Sequence, residues 1–261
     1  MTQKNLWDNT DLNVQAMDSL CEDYKAFLSA CKTERECAAS MKEGLQAAGC
    51  LELSDVISGH IRLKPGDLVC TDMMKKALLA FRIGKRPITD GMRILGAHID
   101  SPRLDLKQHP LYEDNGLAFL DTHYYGGIKK YQWVTLPLAL HGVVAKKDGA
   151  VVPVCIGEKA SDPVLGVSDL LPHLAGKQME KKAREAVEGE NLNILAGSRP
   201  LEDTEKDAVK ARLLSILKEH YAIEEEDFIS AELEAVPAGA ARDYGLDRSM
   251  VMAYGQDDRV C

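Results

Sequence analysis

The chain has 261 residues, 45% of them apolar, enough for one large domain or two smaller ones with a real core. Acidic residues outnumber basic ones 41 to 32, for a net charge of -9, and no basic stripe suits nucleic acid or an anionic membrane surface. The polar stretch 1–9 lacks a leader-like apolar core, and the most apolar run, 134–145, is broken by Pro137 and His141, far short of a membrane span.

Asp11 is expected to cap a helix whose apolar positions are Val14, Met17, Cys21, Tyr24, Leu28 and Cys31, spaced by threes and fours. Thr33 and Glu36 form a capping-box pattern. The helix they open carries Cys37, Met41, Leu45 and Ala48, and Gly49 suits its end. Residues 53–64 are mixed and finish at the Pro65-Gly66 turn. Asp67–Thr71 and Ala77–Ile83 read as strands, with a helix over Met73–Leu79 as the alternative, and Ile94–Ala97 reads as a buried strand stopped by Ser101-Pro102.

From Lys107 the texture becomes antiparallel β. Leu117–Tyr125 and Trp133–Ala145 look like strands, and Lys147-Asp148-Gly149 is a hairpin turn into Val151–Ile156. Residues 157–200 are loop-rich, with a helix expected near Lys177–Val187. Thr204 and Asp207 give a capping pattern for a helix bearing Val209, Leu213, Ile216, Leu217 and Tyr221. Glu224–Asp227 is an acidic loop, and Phe228–Val236 and Val251–Tyr254 return to strand. The expected fold class is therefore α/β. One α/β domain is built from residues 1–104 and 244–261, and a β-rich domain, 105–243, is inserted into it.

The seven cysteines, Cys21, Cys31, Cys37, Cys50, Cys70, Cys155 and Cys261, are odd in number and contain no Cys-x-x-Cys pair. They read as free thiols in a reducing cytoplasm. His98 and Asp100 stand at i and i+2, on one side of an extended segment. Imidazole is a common zinc ligand whose other ring nitrogen needs an orienting carboxylate. The plainer reading is a core histidine with Asp100 capping a turn before Pro102, and spacing alone favours it. Asp257-Asp258-Arg259 offers adjacent carboxylates, one of which could bridge two cations, or else a solvated turn with its own ion pair. His173, between Pro172 and Leu174, is either buried and hydrogen-bonded or set at an interface. Tyr124-Tyr125-Gly126-Gly127 is a turn or a substrate-facing loop. No Gly-x-Ser-x-Gly elbow, phosphate loop, dinucleotide fingerprint or His-Glu-x-x-His helix is present.

Taken together, the pieces Gly96-Ala97-His98-Ile99-Asp100-Ser101-Pro102-Arg103-Leu104-Asp105, Tyr125-Gly126-Gly127, Pro172-His173-Leu174-Ala175 and Gly255-Gln256-Asp257-Asp258-Arg259 resemble the aspartyl aminopeptidase family of zinc metallopeptidases. The resemblance implies an enzyme that removes an N-terminal residue, often acidic, from peptide substrates with two zinc ions. It implies that His98 binds one zinc, that Asp257 bridges both and that Asp100 supports the metal-bound histidine. His173 is implied as a metal ligand or as a substrate contact to a neighbouring subunit, and the β-rich insertion as the contact in a large homo-oligomer. An acidic substrate side chain needs a basic partner, for which Lys129, Lys130 and Arg103 are candidates. Family members continue past the position of Cys261 and supply there a Glu-Glu pair, a further aspartate and a histidine, the first glutamate being the general base. The expectation is thus an N-terminal portion with half a site, weak metal affinity and little activity of its own. A non-catalytic oligomerisation module derived from such an enzyme is the alternative, and a related metal-dependent deacylase or carboxypeptidase a third reading.

Overall fold

A computed structural model gives the fold, and the residues described are 5–8 and 11–255. Helix α1, Val14–Ala30, follows the expected apolar spacing, but its cap is Asn13, whose side chain accepts from the Ala16 N–H, and not Asp11. Asn13 immediately precedes the first turn, where an acceptor can reach the orphan N–H groups. Helix α2, Glu34–Ala47, opens on the expected reciprocal box between Thr33 and Glu36. It ends at Gly49, whose φ of +84° is the left-handed stop that glycine permits.

Next comes a small three-stranded sheet. Strand β1, Leu51–Glu52, runs directly into the single-turn helix α3, Leu53–Ile57. Strand β1 pairs in parallel with β2, Leu68–Met73, and β2 pairs antiparallel with β3, Ala77–Arg82. The expected strand at Ile94–Ala97 does not form. Residues 91–102 run as irregular backbone, and Ile94 and Leu95 are 79% and 99% exposed. An apolar run becomes a buried strand only where neighbours complete its hydrogen-bond ladder, and no described strand flanks this one.

The largest layer is a six-stranded antiparallel sheet in the order β7-β6-β9-β4-β5-β8. Its strands are β4, Arg103–Asp114; β5, Leu117–Tyr125; β6, Leu138–Ala145; β7, Val151–Ile156; β8, Ile194–Gly197; and β9, Ala231–Pro237. Strand β4 escapes sequence expectation because His109-Pro110 interrupts its alternation. Proline has no N–H for the ladder, and the β4–β5 register shifts between Leu106 and Leu111. The hairpin closes at Asn115-Gly116, both at positive φ. The expected helix near 177–187 is reduced to two single turns, α4, Gly176–Met179, and α5, Ala183–Ala186.

Helix α6, Ala208–Tyr221, lays Val209, Leu213 and Leu217 on the sheet core of Leu104, Leu138, Leu192 and Ile194. Asp207 stands at its N-cap as expected, but neither its side chain nor that of Thr204 makes the capping hydrogen bond. Glu113 on β4 does so from afar, accepting from the Val209 and Lys210 N–H groups at 2.8 and 3.0 Å. A carboxylate there also faces the positive end of the helix dipole. The short pair β10, Arg242–Tyr244, and β11, Met250–Met252, ends the described chain. Among the described residues no helix is long and apolar enough to cross a membrane.

A buried polar network ties α2 to the large sheet. His141 on β6 is 3% exposed, with Nδ1 2.7 Å from Glu36 and Nε2 3.0 Å from Glu158. Lys32 reaches Glu158 at 2.6 Å and donates to the Pro237 and Gly239 carbonyls, both at 2.8 Å. Burial lowers the imidazole's basicity, but the two flanking carboxylates outweigh it and raise the pKa above the ordinary 6.5. A protonated ring can donate to both carboxylates at once. A group with a raised folded pKa stabilises fully below its unfolded pKa and loses that contribution as pH climbs through the folded one. The thermal midpoint should therefore fall as pH rises from about 6.5, and His141→Gln should flatten that fall in a pH series of melting curves.

Candidate metal centre

The candidate site forms where the irregular segment 91–102 enters β4. His98 Nδ1 lies 3.1 Å from Asp100 Oδ1 and 3.2 Å from the Asp100 carbonyl oxygen. Ionised carboxylate and carbonyl oxygens only accept, so Nδ1 carries the hydrogen and Nε2 the lone pair in the neutral ring. The Tyr125 hydroxyl donates to Asp100 Oδ2 at 2.7 Å. That bond, with a smaller contribution from His98, holds the Asp100 carboxyl below its ordinary range against the opposing effect of burial. His98 stands at the rim of a cavity of about 530 Å³ whose wall includes Glu34, Lys76, Ala97 and Asp100.

Behind this rim lies a cluster of opposite charges. Arg103 is 7% exposed and donates bidentately to Glu34, with both contacts at 3.3 Å, while its Nε donates to Asp105 at 2.8 Å. The single Nε hydrogen is thereby used, so the 3.3 Å approach of Nε to Glu234 Oε2 is a charge contact without a hydrogen bond. Burial, reinforced by Glu34, pushes the Glu234 carboxyl up to about 8 despite Arg103. Oxygens of Glu34, Glu232 and Glu234 lie within 4.8 Å of one another. Arg103, Arg35 and Lys76 already neutralise them, which makes this an ion-pair network and not a cage for a cation.

Of the expected site residues, His98 and Asp100 are brought together in the expected relation. His173 is exposed on the loop before α4 and does not line the His98 cavity. Asp257 lies outside the described residues. Arg103 is ruled out as a partner for an acidic substrate, because its buried guanidinium is committed to Glu34 and Asp105. Tyr125, Glu34 and His141 were not expected to hold their positions. Tyr125 had a local signal in Tyr-Gly-Gly, but its partner follows only from the strand register. The donor chemistry fits zinc as far as it is described, since an imidazole whose Nδ1 is fixed by a carboxylate is a usual zinc ligand.

A mixed helix-and-strand fold with a carboxylate-held histidine suits the zinc metallopeptidase class. Comparison with known proteins narrows this. Residues 27–261 match the family model described as Aminopeptidase I zinc metalloprotease (M18), and the chain belongs to that family. A probable M18 family aminopeptidase 1 of Clostridium acetobutylicum is 58% identical over 260 residues, covering 99% of this chain and 56% of the relative. The Thermotoga maritima counterpart is 43% identical over 261 residues, covering 100% of this chain and 56% of the relative. The crystal structure of the Thermotoga maritima M18 aminopeptidase superposes with a TM-score of 0.91 at 43% identity, covering 100% of this chain and 56% of that one. That of aminopeptidase I from Clostridium acetobutylicum gives 0.88 at 57% identity, covering 100% and 58%. The chain thus spans a little over half the length of these relatives.

Raising a carboxyl's folded pKa above its ordinary 4.5 costs stability once the unfolded group ionises, so the Glu234 penalty grows between pH 4.5 and about 8. Glu234→Gln should remove it. Denaturant titrations should show the variant more stable than the parent at pH 8 by roughly 1–3 kcal/mol, and the difference vanishing below pH 4.5.

Proposed function

We propose that this chain contributes the first half of a two-zinc aminopeptidase site, and that the protein removes N-terminal residues, preferentially acidic ones, from peptides. His98 would hold one zinc through Nε2, Asp257 would bridge both, and Asp100 would orient the imidazole. The observation that carries this reading is the fixed His98 ring. Its Nδ1 is held by Asp100, and the residue lines a cavity together with Ala97, Ile99 and Glu34. A second observation supports the role of Asp257. Tyr254, three residues before it, donates through its hydroxyl to the carbonyl of Pro102, two residues after Asp100. Distant parts of the sequence are thereby joined at one place.

Bound zinc would supply a water of near-neutral pKa and a Lewis-acidic centre for the scissile carbonyl. The chain's own contribution is to hold and orient. Asp100 keeps the His98 proton on Nδ1, and Ile99 and Ala97 line the cavity beside the ring. The exposure of His173 and its absence from the cavity wall favour contact with a neighbouring subunit over metal ligation. Residues 105–243 are proposed as the inserted domain that mediates homo-oligomerisation. The division 1–104 plus 244–261 is proposed as the peptidase part. All six described cysteines are free, which suits a cytoplasmic site of action. Lys129 and Lys130 remain the proposed partners of an acidic first side chain.

Titrating the purified protein with zinc tests the reading. Zinc uptake should weaken by at least about 100-fold in His98→Ala, since a direct ligand matters more than the outer partners whose loss costs 10–100-fold. Any peptide cleavage should require a free α-amine, spare acetylated peptides and disappear in the same variant. Zinc uptake unaffected by His98→Ala would refute the assignment.

A further inference from the structure

Asp100 has two carboxylate oxygens, and the ring of His98 uses only one. A carboxylate held at one oxygen can still turn about its last torsion and carry the imidazole with it. The second oxygen accepts from the Tyr125 hydroxyl at 2.7 Å, which removes that freedom. Packing does not explain why tyrosine stands here. Tyr125 is 40% exposed, at the very end of β5, and its hydroxyl is 2.7 Å from Asp100. A phenylalanine would fill the same space and leave Oδ2 unheld.

Tyr125 is itself held. In the antiparallel ladder it lies directly opposite Arg103, the first residue of β4. The Arg103 guanidinium sits 4.1 Å from the centre of the tyrosine ring, while its nitrogens are pinned by Glu34 and Asp105. A planar guanidinium can stack on a ring and engage carboxylates through its edge at the same time, which an ammonium cannot. Next along the chain, Gly126 has a φ of +78°, and a Cβ there would come within 3.4 Å of Pro102, in the segment that bears Asp100. Strand register, stacking and turn geometry thus converge on one hydroxyl.

We propose that Tyr125, braced by Arg103, is a positioning residue for the metal site. It locks the Asp100 carboxylate so that His98 keeps its proton on Nδ1 and presents Nε2 in a fixed direction. The proposal rests on His98 being a zinc ligand, as proposed above, and extends the site into the β4–β5 hairpin. The buried charge of Glu34 then has a use beyond stability, because it holds the arginine that holds the tyrosine.

Two readouts on Tyr125→Phe test it. Ring ¹⁵N shifts of His98 in metal-free protein report the tautomer. The parent should show the Nδ1-protonated neutral form, and the variant a mixture of both tautomers. Zinc affinity, measured by competition with a chromophoric chelator, should fall 10–100-fold in the variant with an unchanged melting temperature. Arg103→Lys should shift both readouts in the same direction where it folds, and Tyr125→Phe decides alone where it does not. An unchanged tautomer or an unchanged zinc affinity in Tyr125→Phe overturns the proposal. Absence of His98-dependent zinc uptake in the parent overturns the underlying metal assignment instead, and the tautomer measurement still decides whether Tyr125 governs the ring.

Discussion

A buried guanidinium must be matched by acceptors or the fold around it fails, and Arg103 meets that demand at the point where everything else joins. It is the first residue of the strand that follows His98 and Asp100 in the chain. Its partners come from helix α2 through Glu34, from its own strand through Asp105, and from β5 through the face of Tyr125. Removing one member of such a group leaves an uncompensated buried charge, typically a loss of about 3–5 kcal/mol. The segment 91–102 has no ladder of its own, so its position at its C-terminal end is inherited from this anchoring.

The network around His141 does a parallel job some distance away. It joins α2 to β6 and to the turn after β7, just as Arg103 joins α2 to β4 and β5. Helix α2 is therefore fastened to the six-stranded sheet by charge at two places, while apolar contacts fill the sheet core beneath α6. Polar ties of this kind add less net stability than apolar packing but fix geometry, which is what a ligand-orienting site needs.

What the sequence discloses follows the range of the interaction. Helix α2 is legible because its cap is made by Thr33 and Glu36, three residues apart, strand β5 because its run is unbroken, and strand β7 because the Lys147-Asp148-Gly149 turn marks its start and its edge position tolerates Pro153. Where a distant residue supplies the stabilising group, local reading fails. The acceptor that starts α6 is Glu113, nearly a hundred residues before Val209, and no pattern near Thr204 and Asp207 reveals it. Strand β4 is hidden by His109-Pro110, although Asn115-Gly116 after it is a strong hairpin signal. The run Ile94–Ala97 has strand composition but lacks strand neighbours among the described residues. At the site, the His98 and Asp100 relation is legible from spacing and resemblance. Their connection to Tyr125 depends on the β4–β5 register, and the commitment of Arg103 depends on Glu34 lying 69 positions earlier.

The central claim is that the imidazole of His98 and the chain around Asp257 meet at one cation. Anomalous diffraction from zinc-loaded crystals, recorded on both sides of the zinc absorption edge, tests this most directly. The account predicts a peak about 2.0–2.1 Å from His98 Nε2, with a carboxylate of Asp257 also in its shell. A zinc peak bound elsewhere, with the His98 ring turned away from it, would contradict the account.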